Sequence, residues 1–445
     1  MKLRNTFLLV LITLGLLVGV IIFEKHTPST RRAAQMRFEV ADFDPAKITK
    51  IVLVNDDERI ELGKEDGIWF LQSPIKDNAD GTLPEAIMDS LLNLRPTRVI
   101  NEEKQEVDPK VFGVNKSNVS LELFGEGAPP KMLFGKNSAV EGQVYARLVD
   151  SNRIYVIATD LRNLVTKKTD DFRDRTLMSL HPEQAKKMVI RTSGGEIELK
   201  KENEHWQIDK PIRARGNDQL IGKMLTQITN LKAKGFVGGD ETPRMGEQLG
   251  TVALYSETSD QPTSLSLVDA PDLPEGVYAK LSTRNSLFIL NKVVSGLFKA
   301  KPNDLRDRFL LRVNLDWVDR IHIEPAGKPK LLLARDQENW KIDGKPADAG
   351  KMKRFLECLL SQKVVSFVAD TGTDLDKYGL KAPLVRITLS SYASENTPES
   401  NAGEKEITTL LLGRIENGEI YAKLEEEPFV VSVDKAILDV LPSQW

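Results

Sequence analysis

The chain contains few of the residues that form disulfides or metal sites. Its 445 residues include a single cysteine, Cys358, so no disulfide can form within the chain and its folded parts depend on their cores. Cys358 lies beside Phe355 on an apolar helical stripe, which favours an inert core thiol over a nucleophile. There are only four histidines, and no two of them lie four residues apart on a helix. The sequence therefore predicts no metal, no cofactor and no catalytic residue.

Signatures of common enzyme classes are missing as well. The chain has no phosphate loop of the GxxxxGK type, no GxSxG nucleophile turn and no HExxH helix. Charge is nearly balanced, with 62 basic against 65 acidic residues and a net charge of −3, so no broad basic face for nucleic acid is expected. These absences favour a protein that binds or supports over one that catalyses, and no nucleic-acid partner is predicted.

An apolar run at the N-terminus is the first positive feature. Lys2 and Arg4 precede an uncharged segment, residues 6–23, which is close to the roughly 18 to 20 residues that cross a bilayer. No small-residue cleavage pattern follows it, which favours an uncleaved anchor over the alternative, a cleaved signal peptide. Basic residues before the run place the N-terminus in the cytoplasm. We therefore expect a single-pass protein of the bacterial inner membrane, with residues 1–26 as cytoplasmic start and transmembrane anchor and the bulk of the chain periplasmic.

A stretch marked by tryptophan recurs three times along the remainder. The segments around Trp69 and Trp206 align without a gap, and the segment around Trp340 repeats them with small local changes. Repetition over this length indicates domains in series. The tryptophans precede a turn and a helix, so they are interpreted as core anchors and not as carbohydrate platforms. After a polar tether at residues 27–45, we expect three repeat domains: copy 1 at residues 46–180, copy 2 at residues 181–313 and copy 3 at residues 314–445.

Each copy alternates short strands with one long amphipathic helix. Apolar residues at a spacing of two predict strands before the tryptophan and again after the helix. The predicted fold class is α+β, in which each copy is a mainly antiparallel sheet packed by one principal amphipathic helix. A polar stretch from Tyr392 to Lys405 predicts a flexible hairpin loop in copy 3. The predicted helical stripes consist of Leu83, Ile87, Leu91 and Leu94 in copy 1, Leu220, Met224, Ile228 and Leu231 in copy 2, and Met352, Phe355, Leu356, Leu359 and Leu360 in copy 3.

A short strand signature supplies the candidate binding residues. The sequence Tyr-Ala-basic-Leu occurs once in each copy, and alternation along a strand puts the tyrosine and the basic residue on one face. If alanine and leucine face the core, an outward-facing pair recurs three times and is a candidate for binding an acidic partner surface. The alternative is that these are ordinary exposed residues of a strand without a binding role. The candidate residues are Tyr145, Arg147, Tyr278, Lys280, Tyr421 and Lys423.

Two similar charged segments join the copies. We name Phe172-Arg173-Asp174-Arg175 the first linker and Leu305-Arg306-Asp307-Arg308 the second linker. A guanidinium in such a segment can bridge to a carboxylate of the neighbouring copy and latch the two together. An exposed turn of little energetic weight is the alternative. The interdomain candidates are Arg173, Asp174, Arg175, Arg306, Asp307 and Arg308.

These motifs together resemble one bacterial family. The W-x4-P turns from Trp69 to Pro74 and from Trp206 to Pro211, the amphipathic helix and the Tyr-Ala-basic strand are similar to domain of unknown function 4340. Copy 3 departs slightly, since Pro346 lies one residue further from its tryptophan. The resemblance covers nearly everything after residue 45. It implies membrane-anchored extracytoplasmic proteins that are often associated with ABC-type exporters related to gliding-motility auxiliary components, and it carries no catalytic residues with it.

The sequence thus favours a non-catalytic, membrane-anchored accessory or scaffold protein outside the cytoplasm. Its expected partners are the membrane, through the N-terminal helix, and proteins such as an ABC permease or other envelope components. The alternative is a cell-envelope enzyme or a glycan- or lipid-binding protein. An enzyme is expected to gather titratable groups in the cleft of one copy, whereas a scaffold repeats one surface pattern three times.

Overall fold

The structure is a computed structural model that describes residues 43–100, 107–238, 242–392 and 403–442. The predicted transmembrane anchor and most of the predicted tether lie outside the described residues, as does most of the predicted hairpin loop of copy 3. Within the described ranges, no helix combines the length and the apolar character that crossing a bilayer requires.

Copy 1 begins with a meander of antiparallel strands, continues through its long helix and returns to strands. The turn between the second and third strands places Asp66 and Gly67 at φ values of 48° and 82°, and two successive left-handed residues are what a tight hairpin needs. Its strands are β1 (Ile48–Asn55), β2 (Glu58–Glu65), β3 (Ile68–Ser73), β4 (Asp77–Asn78), β5 (Arg98–Val99), β6 (Val119–Gly125), β7 (Met132–Asn137), β8 (Gln143–Leu148) and β9 (Tyr155–Ala158), and its helices are α1 (Thr82–Leu92), α2 (Pro109–Phe112) and α3 (Asp160–Val165).

Copies 2 and 3 repeat this order of elements. Copy 2 has β10 (Ala185–Thr192), β11 (Gly195–Glu202), β12 (His205–Lys210), β13 (Ala214–Arg215), α4 (Asp218–Thr229), β14 (Gly235–Phe236), β15 (Gln248–Ser256), β16 (Ser259–Asp269), β17 (Gly276–Leu281), β18 (Leu287–Asn291) and α5 (Pro302–Leu305). Copy 3 has β19 (Arg320–Pro325), β20 (Leu331–Asp336), β21 (Asn339–Ile342), β22 (Lys345–Pro346), α6 (Ala349–Ser361), β23 (Val364–Ala369), β24 (Val385–Tyr392), β25 (Glu404–Glu416), β26 (Glu419–Leu424) and β27 (Val430–Asp434).

The strands form three nine-stranded antiparallel sheets with one shared topology. The order in copy 1 is β4-β3-β2-β1-β6-β7-β8-β9-β5, and the second and third sheets have the corresponding order from β13 to β14 and from β22 to β23. The long helix of each copy connects the strand at one edge to the strand at the other. Three sheets of identical order confirm the predicted tandem repeat. The strands of each sheet fall within one predicted copy, while the boundaries between copies stay a prediction.

A short polar residue accepts a hydrogen bond at the start of each long helix; it is the N-cap of α4 and of α6, whereas in α1 it is Asp80, one residue before the N-cap Gly81. The side chains of Asp80, Asn217 and Asp348 accept hydrogen bonds from backbone N–H groups in the first turn, at 2.8–3.1 Å. The stripe predicted for α4 is partly wrong, because Leu220 is 45% exposed and Ile221 and Leu225 are buried instead. The segment contains two overlapping sets of apolar residues at helical spacing, one that begins with Leu220 and one that begins with Ile221. The helix buries the face with Ile221.

Contacts divide the described residues into two contact units. The first contains copy 1 through Leu177 together with Lys232–Met245 and Ala270–Asn291 of copy 2. The second contains Met178–Leu231, Gly246–Asp269 and the chain from Lys292 onward. Every residue that the first linker contacts below lies in the first contact unit, and every residue that the second linker contacts lies in the second.

Candidate functional site: two linkers and an open groove

The first linker pairs with an edge of copy 1 as a short additional strand. Arg173 forms an antiparallel bridge with Ala79, the residue that follows β4. On either side of this bridge, Asp80 N–H donates to the Phe172 carbonyl at 2.8 Å and Asp174 N–H donates to the Asn78 carbonyl at 2.9 Å. The pairing carries the Phe172 side chain into the core of copy 1, where it is fully buried with the apolar residues of the sheet and of α1.

The second linker repeats this arrangement on copy 2. Arg306 bridges to Gly216, which follows β13. The Asn217 N–H donates to the Leu305 carbonyl at 2.8 Å, and the Asp307 N–H donates to the Arg215 carbonyl at 2.9 Å. Leu305 takes the place of Phe172 and is 4% exposed. A large apolar residue from the linker therefore completes the core in both copies.

Copy 3 presents the same edge without such a segment in the described part of the chain. The Ala347 N–H donates to the Trp340 carbonyl at 2.9 Å, as Ala79 and Gly216 donate to the carbonyls of Trp69 and Trp206. This shared hydrogen bond makes Ala347 the counterpart of the two bridged residues. Among residues 43–100, 107–238, 242–392 and 403–442, no residue forms a β-bridge with Ala347.

Residues beside this edge are less buried in copy 3 than their counterparts in the other copies. Trp69 and Trp206 are 2% and 6% exposed, whereas Trp340 is only half-buried. Leu356 of α6 is also half-buried, although its counterparts by distance from the helix cap, Met88 in α1 and Leu225 in α4, are buried. The core interpretation of the tryptophans thus describes Trp69 and Trp206 fully and Trp340 only in part.

These residues line a groove of about 590 Å³, which we name the copy 3 groove. Its floor consists of the apolar side chains Leu315, Trp340, Met352, Leu356 and Leu360, and its rim includes Pro346, Ala347, Asp336, Glu338, Lys341, Lys353 and Glu357. Two of the rim pairs are neutralised by ion pairs, Lys341 with Asp336 at 2.7 Å and Lys353 with Glu357 at 3.8 Å. The groove is therefore an apolar cleft beside an unpaired strand edge, a geometry suited to an extended peptide.

Arg173 of the first linker contacts one buried carboxylate. Asp77 of β4, 2% exposed, accepts from Arg173 Nε at 2.9 Å, from Arg284 Nη2 at 2.7 Å and from the Ser286 hydroxyl at 2.8 Å. Burial alone would raise the pKa of Asp77, but the hydrogen bonds from Ser286 and Arg284 outweigh it and hold the pKa below its usual value. The Arg173 guanidinium also lies 3.5 Å from the centre of the Phe236 ring.

The second linker has a similar arginine, but the carboxylate to which it donates is not buried. Arg306 is 1% exposed and donates to Asp370, whose side chain is 51% exposed, at 2.9 Å. Its guanidinium lies between the rings of Phe367 and Phe429, 4.3 and 4.6 Å from their centres. Stacking on two rings therefore takes the place of the carboxylate that Arg173 contacts.

The remaining predicted interdomain residues bind backbone or local groups. Arg175 donates to the Lys234 carbonyl at 3.0 Å, and Arg308 donates to the Val364 and Val365 carbonyls at 3.3 and 3.1 Å. The Asp174 carboxylate accepts from the Thr176 N–H. The Asp307 carboxylate accepts from Arg312 at 2.7 and 3.0 Å and from the Phe309 N–H.

The predicted outward display of three Tyr/basic pairs is wrong in copies 2 and 3. Tyr145 and Arg147 are half-buried, but Tyr278 is 3% exposed and its hydroxyl donates to Asp272 at 2.8 Å. Lys280 is exposed and Tyr421 is half-buried. Lys423 is 9% exposed, since its ammonium group donates to the carbonyls of Leu424, Glu425 and Glu427. No common surface recurs at these six residues.

The architecture defines a tandem-repeat protein in which one α+β module occurs three times and charged linkers pair with the module edges. In a comparison with known protein families, the model of the family described as Domain of unknown function (DUF4340) matches residues 69–248, 246–383 and 343–445. The chain belongs to this family. No curated protein and no solved structure is similar enough to the chain to count as a match.

The copy 3 groove is the feature that the sequence reasoning missed. One signal for it was present, since Ala79 and Gly216 lie ten residues after their tryptophans and Ala347 lies seven after Trp340. The displaced Pro346 does not reveal this shortening, because it lies one residue further from its tryptophan than Pro74 and Pro211 do. Elsewhere in the described part of the chain, no group of three or more His, Cys, Asp or Glu side chains is arranged to hold a metal ion.

Proposed function

We propose that the protein is a non-catalytic, membrane-anchored scaffold outside the cytoplasm that binds a partner of an ABC-type transport or cell-envelope complex through the copy 3 groove. The single observation that carries this proposal is the contrast between copies. Copies 1 and 2 pair this edge with a linker and bury Phe172 or Leu305, whereas copy 3 presents an apolar groove there. Because a peptide segment completes the core of this module in copies 1 and 2, the same position in copy 3 is suited to bind a peptide segment of another protein.

The proposed location rests on the sequence of the N-terminus. The uncharged run at residues 6–23 after Lys2 and Arg4 is suited to a single transmembrane helix with the N-terminus in the cytoplasm. A partner in the same membrane is then close to the repeats. The transporter partner rests on the family resemblance described above.

Affinity purification from detergent-solubilised bacterial membranes tests the proposal. The tagged full chain and its Leu356→Asp variant are crosslinked, purified in parallel and analysed by mass spectrometry. We expect permease and ATPase subunits, or other envelope proteins, with the wild type and at least a tenfold reduced recovery with the variant. Identical sets of proteins in both samples, or recovery of the chain alone, contradict the proposal.

The variant needs a matched control at the same position. Leu356→Met introduces the residue type that copy 1 has there, Met88, and volume-conserving apolar exchanges are well tolerated. We expect wild-type recovery of partners with this control. Circular dichroism of both variants checks that a loss of partners does not come from unfolding. Recovery of glycan or lipid without protein favours the alternative binding function instead.

A further inference from the structure

We propose that the copy 3 groove accepts an extended segment of a partner protein that places a Phe or Leu in the groove, as the chain's own linkers place Phe172 and Leu305 in copies 1 and 2. The inference deepens the proposed function and rests on it, because it names the chemistry of the partner that the scaffold binds. The occupant is deduced from what fills the same position in copies 1 and 2, Phe172-Arg173-Asp174 and Leu305-Arg306-Asp307.

The backbone of copy 3 offers the hydrogen bonds that such a segment needs. In copies 1 and 2, the residue before the bridged position gives a carbonyl to the linker and the residue after it gives an N–H. Their counterparts in copy 3 are Pro346 and Asp348, on either side of Ala347. A proline has a carbonyl and lacks only the N–H, which the linker pairing does not use. The incoming segment therefore pairs antiparallel, as in β-augmentation.

The groove provides the pocket for the apolar side chain of the segment. Phe172 and Leu305 are buried in their copies at 0% and 4% exposure, so the pocket position accepts both an aromatic and a branched aliphatic side chain. In copy 3 the corresponding wall carries Trp340, Met352 and Leu356, and two of these three are half-buried. An incoming Phe or Leu buries them and restores the exposure seen in the other copies.

A second folded copy of this chain is a poor source of the segment. Both Phe172 and Leu305 are buried in their own linker positions, and each linker is fixed by two backbone hydrogen bonds to its copy. Releasing either one exposes a core residue and breaks those bonds. The partner we infer is therefore a different protein with an accessible segment of this kind.

Peptide binding to the full chain tests the inference. The probe is the peptide PNDLRDRFL, residues 302–310, and the control peptide carries Leu305→Asp. Isothermal titration calorimetry with the detergent-solubilised full chain is expected to give one binding site and at least tenfold weaker binding of the control peptide. Equal affinity of the two peptides, or no binding of either up to millimolar concentration, overturns the inference.

A photocrosslinking measurement locates the peptide without changing the protein. Photo-leucine replaces Leu305 in the peptide, and crosslinked residues are mapped by mass spectrometry. Crosslinks within residues 340–360 are expected, and Leu356→Asp is expected to remove them while Leu356→Met retains them. Crosslinks spread over the other copies, or unchanged in the aspartate variant, contradict the inference.

The two tests separate this inference from the proposed function. If partner proteins co-purify in a groove-dependent manner but the linker peptide is not preferred over its control, the scaffold function is supported and the inferred partner segment is contradicted. Selective peptide binding without any recovered partner supports the groove chemistry and removes the envelope scaffold. Failure of both removes the copy 3 groove as a binding site.

Discussion

The first and second linkers use the same backbone pairing, but the ion pairs beside them have acid and base on opposite copies. At the first linker, copy 1 supplies the acid, Asp77, and copy 2 supplies the base, Arg284. At the second, the residue in the position next to that of Asp77 is the base Arg215, and Glu427 has the position of Arg284, six residues after the signature tyrosine. The distances differ as well, 2.7 Å for the first pair and 4.0 Å for the second.

This exchange teaches that backbone and side chains have different roles in joining the copies. The edge pairing and the buried Phe172 or Leu305 are common to both linkers and fix the position of the segment. The ion pair beside each linker is reversed, since its acid comes from copy 1 at the first linker and from copy 3 at the second. Reversing the charges of a contact is a known means of specifying one arrangement among similar ones.

Removing the buried acid is expected to have the largest effect. Asp77→Ala leaves Arg173 and Arg284, 4% and 6% exposed, without their shared carboxylate. Breaking a buried ion pair from one side costs about 3–5 kcal/mol. Urea unfolding of the full chain measures it, with the exposed Asp57→Ala as the control, for which a change within about 0.5 kcal/mol is expected. A cost below about 1 kcal/mol for Asp77→Ala contradicts the central role of this carboxylate.

Replacing each of the two stacked arginines with methionine tests the difference between the linkers. Arg173→Met is expected to cost about 2–3 kcal/mol because it removes a charge partner of buried Asp77. Arg306→Met is expected to cost about 1 kcal/mol, because Asp370 can be solvated and a thioether packs well between Phe367 and Phe429. The same unfolding measurement applies. Equal costs, or the reverse order, contradict the view that the second linker depends on stacking.

The change of the unfolding free energy with pH is expected to have opposite signs for Asp77 beside the first linker and Glu427 beside the second. These are the smallest of the expected effects. The lowered pKa of Asp77 means that the unfolded state binds more protons between the two pKa values. Stability from Asp77 is therefore fully present above its usual pKa of 3.8 and is lost as the pH falls through the lowered value. Asp77→Asn removes this dependence.

Glu427 is expected to behave in the opposite way. Burial raises its pKa above 4.5, so the folded state binds more protons and stability falls as the pH rises towards the raised value. Glu427→Gln is expected to add less than about 1 kcal/mol at neutral pH, and this gain should vanish below about pH 4.5. Thermal unfolding from about pH 2 to pH 8, compared with Asp77→Asn, measures both slopes. Slopes of the same sign for the two variants refute the comparison.

The repeated elements were predictable because their signals are local. Strand alternation, helical stripes and the tryptophan before each turn are read within about 20 residues, and three occurrences support one another. The stripe of α4 shows the limit, since two overlapping patterns gave the wrong face. Tyr278 and Lys423 show another, because their burial depends on Asp272 and on three carbonyls of one turn.

The sites between copies were not predictable because their partners are far apart in the chain. Arg284 and Asp77 are separated by 207 residues, and nothing near either residue indicates the pairing. The burial of Trp69 depends in the same way on the copy 1 core that includes Phe172, a residue of the first linker. A single sequence shows that three tryptophans recur, but not that Trp340 is less buried than Trp69 and Trp206.

The proline in the short strand β22 bears on self-association. An unpaired strand edge is a template on which further chains can add and aggregate. At the equivalent position of copy 1, the outward N–H of Asn78 is satisfied by the Asp77 side chain at 2.9 Å, whereas Pro346 has no N–H to offer. The edge of copy 3 is therefore short and lacks one donor, which disfavours repeated strand addition between identical molecules. Solubility and selective docking can thus coexist on one edge.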